Sequence, residues 1–358
     1  MEKKHILNTE NDRISVSFLA TNQIIEENVI KPVEKEMRNG EMVYWGELNN
    51  YPQYIEDLYL NVSTFKSIID GATDYICGND IILNIPDMIN KKGHTIKDII
   101  KFIAKDLVKY GGFALNIVKN KLGTVAEIYY IDFKKVRTNK DHTKFYYTDD
   151  WTKSYGRLKC TEIESFWSGA PSSILYYTND VNYTYPIAPI SAAVNSCEMS
   201  KMISQLHYND LNNGFNASYI VNFNNGKPTD EQKSEIEHNF YNKFCGPLNT
   251  SRPLLSFNNN KTQETTITKI ESNDFDKKYD TLVEYTRQDI FTAFRCSPIL
   301  FGIEQENIGF NNQEYNEAYQ LWYRTFIQPR QQIIKDMFDK IFNVENCIDI
   351  EKFNLSLD

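Results

Sequence analysis

The chain has no surplus of positive charge: 39 Lys and Arg face 48 Asp and Glu, a net of −9. That balance argues against a protein that holds nucleic acid by general phosphate neutralisation. It also lacks paired cysteines. The six, at positions 77, 160, 197, 245, 296 and 347, contain no CxxC and follow no regular spacing. Reduced, mostly buried thiols are expected, not a disulfide framework or a zinc site. No apolar run approaches the ~20 residues of a membrane helix. The opening MEKKHILNTENDR has no apolar stretch of the signal-peptide kind, so no membrane or secretory role is expected. Internal repeats and low-complexity tracts are missing too.

Catalytic signatures are equally scarce. Gly226-Lys227 is followed by Pro228, and no glycine stands five positions before Gly226, so there is no phosphate-cradling loop. HExxH and GxSxG do not occur. Glu235 and His238 have the spacing of a di-iron helix, but one copy cannot hold two irons. His207 and Asp210 share a helix face and read as a surface pair. His5, His94 and His142 sit in polar contexts without partners. Carboxylates are too numerous to single out an acid–base pair. No metal, cofactor or catalytic residue is assigned, and a hydrolase with acidic residues is the weakest of the readings.

What is present is aromatic and helical. Apolar residues make up only 41% of the 358, but aromatics reach 13%, which makes sizeable cores feasible. The first fifty residues read as irregular, with short strand candidates at 14–19 and 42–45. Pro52 opens a helical stripe: Ile55, Leu58, Tyr59, Val62, Phe65, Ile68, Ile69, Ala72 and Ile76 fall at three and four spacings. Gly78-Asn79 ends it. Thr95 caps a second helix to Tyr110, stopped by Gly111-Gly112. A hairpin follows, with strands at 113–118 and 125–131 around 120–123. Strands at 145–147 and 163–167 are weaker. The region to about 188 reads as one α+β domain.

Pro189 and Ser191 start a helix that Asn213-Gly214 stops. Then come a strand at 218–223, a helix from Asp230, and strands at 253–257 and 264–270, a compact β-α-β-β insert. Thr229 and Gln232 have the spacing of a capping box. Its basic residues Lys227, Lys233, Lys243, Arg252 and Lys261 alternate with Glu231, Glu235 and Glu237 and read as solvated faces or subunit contacts. A helix from 275 to 294 leads to a loop, SPILFGIEQENIGFNN, that begins apolar and ends in amides. One long helix, 312–342, closes the pattern. Pro329 lies inside it and is expected to kink it, since proline removes a donor and crowds the preceding turn.

This order resembles the tailed-bacteriophage portal proteins of the shorter-chain group. Four segments carry the resemblance: VKYGGFALNIVKNKLGTVAEIYYIDFKKVR at 108–137, YPIAPISAAVNSCEMSKMISQLHYNDLNNGFNASYIV at 185–221, DIFTAFRCSPILFGI at 289–303, and NNQEYNEAYQLWYRTFIQPRQQIIKDMF at 311–338. Arg295-Cys296-Ser297-Pro298 departs from the Gly-Val-Pro-Pro-like turn commoner in that family, and the short tail leaves little room for a crown domain. The resemblance implies a portal-like α+β fold. Its parts would be a wing at 1–188, stem helices at 189–213 and 274–296, a small α/β clip at 214–273, a channel loop at 297–311, and a long kinked helix with a short tail at 312–358.

It further implies a structural, non-enzymatic ring, a dodecamer, at the capsid vertex of a virion. Double-stranded DNA would pass through it without sequence specificity. Partners would be the major capsid protein, the large subunit of the terminase, and neck or adaptor proteins; assembly would take place in the host cytoplasm. A non-conducting head–tail adaptor is the alternative. In this frame Gln305, Asn307, Asn311 and Asn312 are expected to line the channel as neutral donors and acceptors, too weak individually to stall sliding DNA. Pro298, Leu300 and Phe301 would pin the base of that loop. Tyr315, Tyr319, Trp322, Tyr323 and Phe326 suit either a subunit interface or the chain's own core.

Overall fold

The computed structural model describes residues 32–36, 42–151, 160–212, 220–223, 229, 231–232, 234–235, 254–257, 275–303 and 312–353. In chain order, β1 (Glu34–Glu36) pairs antiparallel with β2 (Val43–Trp45). The single helix expected after Pro52 is two, α1 (Tyr51–Asn61) and α2 (Ser63–Cys77). The break is at Val62, whose backbone is extended at φ −111° and ψ 104°. The Asn61 amide donates to the Asp57 carbonyl at 2.8 Å, closing the end of α1, while the Val62 side chain stays in the core. The apolar stripe therefore runs on unbroken although the backbone does not.

After β3 (Ile81–Leu83), α3 (Ile96–Lys109) starts at Thr95 with a full capping box: the Thr95 hydroxyl accepts from Asp98 N, and the Asp98 carboxylate accepts from Thr95 N. Then follow β4 (Gly112–Lys119), β5 (Val125–Ile131), β6 (Val136–Thr138), β7 (Lys144–Tyr147), β8 (Thr161–Ser165) and β9 (Ser172–Thr178). They form one six-stranded sheet in the order β5-β4-β9-β8-β7-β6, antiparallel except for β8 and β9. In the middle, Leu115 of β4 stands opposite Tyr130 of β5 and Leu175 of β9. Helix α3 packs on β4 and β5.

A 3-10 turn at Pro189–Ala193 leads into α4 (Val194–Asn212), and β10 (Ile220–Phe223) lies parallel to β11 (Leu254–Phe257). A parallel pair requires a crossover between its strands, which agrees with the strand–helix–strand order read from the insert; the strand expected at 264–270 lies outside the described residues. Thr229 and Gln232 exchange the expected bonds: Gln232 N donates to Thr229 Oγ1 at 3.3 Å and Thr229 N to Gln232 Oε1 at 3.2 Å. Next come α5 (Phe275–Ala293), α6 (Asn312–Trp322), a π-helical turn (Tyr323–Ile327), α7 (Gln328–Phe342) and β12 (Ile348–Ile350). Strand β12 pairs with β3.

The chain divides into two compact units, one including 202–281 and the other 27–201 with 282–358. The second holds the large core, in which α1–α3, the sheet, the end of α5 and the α6–α7 segment share buried side chains. Five free thiols belong to it, with Cys197, Cys296 and Cys347 buried and Cys77 and Cys160 half-buried. Burial pushes the Cys197 and Cys296 thiols up to about 12, so they stay protonated and unreactive. Among the described residues no helix is long and apolar enough to cross a membrane.

Candidate functional site

The segment between α5 and α6 begins with a turn that the backbone closes twice. Arg295 N donates to Thr292 O at 3.0 Å and Cys296 N to Phe291 O at 3.2 Å. This is the paired bonding of a Schellman motif, which places residue 295 in the left-handed region. Arg295 is there, with φ +53°. Glycine takes that conformation freely; any side chain with a Cβ costs about 1 kcal/mol more. The turn is thus a glycine turn with an arginine in it.

Seven residues later the pattern recurs. Pro298–Phe301 forms one 3-10 turn, and Gly302 supplies the left-handed residue at φ +72°. Gly302 N reaches Ile299 O at 3.2 Å and Ile303 N reaches Pro298 O at 3.3 Å. Ile299 and Leu300 are buried. Phe301 lies edge-on to Trp322 with centroids 5.9 Å apart and beside Phe291 at 5.6 Å. Its ring also passes over α2 at Gly71, where a Cβ would meet Phe301 Cε1 at 2.6 Å. A helix-internal glycine usually weakens a helix; here it makes room for the phenylalanine. The loop base, Pro298, Leu300 and Phe301, is therefore held by packing. Gln305, Asn307 and Asn311 lie outside the described residues, and Asn312 is the first residue of α6.

The aromatic stripe of α6 splits. Tyr319, Trp322 and Phe326 are sealed inside this chain, at 1%, 1% and 3% exposure. Trp322 Nε1 donates to Phe294 O at 3.0 Å, and its ring stacks on Phe326 at 5.7 Å. Tyr319 donates to Phe353 O at 3.1 Å. Interface and core were both open for these three; full burial against α2, the end of α5 and Phe353 places them in the core. Tyr315 and Tyr323 are half-buried, with hydroxyls at 3.1 Å from the Tyr75 hydroxyl and 3.2 Å from Gln331 Oε1. Gln331 is buried as well and donates from Nε2 to Ile76 O at 2.9 Å, answering an orphan carbonyl at the end of α2.

Pro329 lies in the first turn of α7, inside a helical path that continues from α6 through the π-turn, since Trp322, Ile327 and Gln328 all keep right-handed helical backbone. The irregularity precedes it: Gln328 N donates to Tyr323 O across the π-turn. Arg330 follows. Its Nη1 donates to Phe326 O at 2.9 Å and its guanidinium lies 3.4 Å from the centre of the Phe326 ring. Burial, then the positive charge of Arg295, lowers it to about 10. Arg330 Nε is buried without an acceptor.

A second polar cluster lies between α1, α3 and the sheet. Lys109 Nζ and the Tyr110 hydroxyl reach Glu56 Oε2 at 2.7 and 2.8 Å. Burial works to raise the Glu56 carboxyl, but these donors and Lys134 outweigh it and hold the group below its usual range. Asp106, buried and accepting from the Tyr130 hydroxyl at 2.9 Å, is pushed up by burial to about 7. Of the histidines, His142 Nε2 lies 2.9 Å from Thr184 O, His94 packs edge-on to Phe102, and His207 edge-on to Tyr279. None joins a metal-ligand cluster among the described residues.

Sequence reading missed Arg330 and Gln331, which follow Pro329 with no periodic or motif signal. It had a cue for Gly71, a glycine inside a helical stripe, and for Arg295, which stands where a turn glycine is usual.

A model of the phage portal protein family matches residues 89–356, about three quarters of the chain. The chain belongs to the phage portal protein family. Portal chains are structural, not catalytic. Among solved structures, this portal chain is similar to one from the neck of an empty gene transfer agent particle, at 14% identity and TM-score 0.55 over 86% of this chain and 85% of that one. It is similar also to a chain from the neck of a native gene transfer agent particle, computed with C12 symmetry, at 15% identity and TM-score 0.53, covering 94% and 90%. A third is an HK97-family phage portal protein from Corynebacterium diphtheriae, at 8% identity and TM-score 0.53, covering 83% and 95%. At these identities the likeness is one of fold. Uncharacterised proteins of Rickettsia bellii and Rickettsia felis are 29% and 26% identical over 192 residues, 52% of this portal chain. The chain spans about half the length, 48%, of these curated relatives.

Proposed function

We propose that copies of this chain close into a ring at the capsid vertex of a virion, and that double-stranded DNA is packaged and ejected through its bore. The observation that carries this reading is the portal-family match from 89 to 356. Twelve is the proposed number of subunits, in keeping with the fold likeness to a chain from a neck computed with C12 symmetry. In this reading 1–188 is the wing, 189–213 and 274–296 are stem helices, 214–273 is the clip, 297–311 is the channel loop, and 312–358 is the kinked helix with its tail. The clip is the surface for the terminase large subunit during filling and for a neck or adaptor protein afterwards. The wing faces the major capsid protein, and the ring assembles in the host cytoplasm.

Gln305, Asn307, Asn311 and Asn312 are proposed to meet the DNA. Neutral amides hold phosphates weakly, whereas a ring of lysines would multiply counterion-release binding around the bore. The packed base at Pro298, Leu300 and Phe301 supports this division of labour, because it anchors the apolar end of the segment.

Electron microscopy and light scattering of the purified chain test the ring. Closed rings with an axial hole are expected; a monomer at high concentration refutes it. Rings without a through-going bore would favour a non-conducting adaptor. The loop is tested by Asn307→Lys with Asn311→Lys, which should impair packaging or ejection and leave ring assembly intact.

A further inference from the structure

In a chain of net charge −9, two positive side chains come together near the end of α5. Arg295 projects from the end of α5, exposed, from a backbone conformation that disfavours any side chain. Arg330 lies close by: Phe294, next to Arg295, packs edge-on to Phe326 at 5.9 Å, and the same Phe326 ring carries the Arg330 guanidinium. Among the described residues neither arginine meets a carboxylate. The groups that act on Arg330 are Arg295 and Tyr177, the one a like charge and the other a phenol. Arg330 makes a single hydrogen bond, to a backbone carbonyl, and its Nε makes none.

Two guanidiniums gathered without a counterion are unfavourable in an isolated chain. The same compact unit exposes Glu47, Asp87, Glu164 and Glu345, none of which forms an ion pair among the described residues. Closed rings join two different surfaces of identical subunits, so a positive patch on one face can meet a negative one on the next copy. A DNA phosphate is the less favoured anion. Strong positive charge in the bore would resist sliding, and Arg330 sits in an aromatic niche, half-buried, not on an open surface.

We propose that Arg295 and Arg330 form a binding site for a carboxylate side chain of a second copy of this chain, a charged latch between neighbouring subunits. The inference rests on the ring reading above. The left-handed arginine then has a reason: it weakens the fold of one chain and strengthens the contact between two.

The test measures folding and assembly separately on full-length Arg295→Gly and Arg330→Met. Wild-type rings are first titrated by light scattering against protein and sodium chloride concentration; if the wild type never assembles, the ring reading fails and the latch with it. With wild-type rings in hand, each variant should raise the concentration for half-assembly about tenfold and reduce its salt dependence. The Arg295→Gly monomer should be at least as stable to urea as wild type, since glycine relieves the turn. A merely structural arginine would move both quantities in the same direction. If Arg330→Met fails to fold, Arg295→Gly decides alone. Assembly of Arg295→Gly at wild-type concentration and salt response overturns the latch. So does normal assembly combined with altered retention of duplex DNA, which would make phosphate the anion.

Discussion

Arg137 and Arg330 are both withdrawn from water, and the chain treats them in opposite ways. Arg137, in the middle of the edge strand β6, is 0% exposed. Its Nε donates to Asn49 Oδ1, its Nη1 to the Lys134 and Val136 carbonyls, and its Nη2 to Asn49 O and Gln53 Oε1. The ring systems of Trp45 and Trp151 lie 5.7 and 5.0 Å from it. No carboxylate is involved. The guanidinium serves as a strut, tying the Asn49 turn before α1 to the sheet through neutral acceptors. Arg330 has one acceptor, a bare Nε and another arginine for company. Burial alone therefore does not tell what a charge is for. The count of satisfied donors does: a saturated arginine is finished within its own chain, and an unsaturated one is open to a partner.

The contrast breaks first at Arg137. Arg137→Lys keeps the charge but cannot span five acceptors, so buried carbonyls and amides are left unmet. A loss of about 3 kcal/mol is expected in urea unfolding. A loss below about 1 kcal/mol would mean that the acceptor network carries no weight and that counting donors is a poor guide.

Asp106 is a third outcome, a buried charge removed by titration. Its folded pKa, about 7, lies above the ordinary carboxylate value because burial penalises the ion. The raised pKa means the folded state binds the proton more tightly. The stability it contributes is full below the unfolded value near 4 and is lost as pH rises to about 7. Across that window the loss is on the order of 2–4 kcal/mol. Asp106→Asn should flatten that part of the pH–stability curve, read from urea midpoints at closely spaced pH. An unchanged slope would place the titration elsewhere.

How much of this was legible follows the range of the interactions. The Thr95 cap and the Thr229–Gln232 box were readable because a cap closes within three residues. The 113–131 hairpin was readable because its turn is local. Strand β9 was not, although it lies in the middle of the sheet. Ser173, Ile174 and Leu175 are all buried, since β9 lies between β4 and β8 inside the sheet, and an enclosed strand shows no alternation. The pairing of β12 with β3 spans most of the chain and leaves no local mark. At the site, the apolar loop base and the odd Arg295 turn could be read in the sequence. Arg330 could not, because what defines it is a set of missing partners contributed by three separate elements.

Packing offers a smaller test on the Arg330 side of the molecule. Alanine is the better helix former, so propensity alone makes Gly71→Ala stabilising by about 1 kcal/mol. The contact of 2.6 Å with Phe301 predicts the opposite, since that ring lies against Trp322 and Phe291, which resist its retreat. A net destabilisation of about 1–2 kcal/mol is expected, with greater protease sensitivity at 297–303. A stabilised variant would show that Phe301 yields easily and that the loop base is softer than its packing suggests.

The smallest effect has the opposite sign. In the folded monomer, Arg295→Gly removes a Cβ from the left-handed position and a like charge from beside Arg330. Glycine also gains freedom in the unfolded chain, which offsets part of the relief. The balance is a gain of about 0.5–1 kcal/mol, measurable as a shift in urea midpoint without a change in slope. Arg295→Ala separates the two contributions: it removes the charge and keeps the backbone strain, so it should gain less than glycine. If alanine and glycine gain equally, charge repulsion is the larger cost of Arg295. If neither gains, the exposed guanidinium finds compensation within its own chain, and the difference drawn between Arg137 and Arg330 loses its second member.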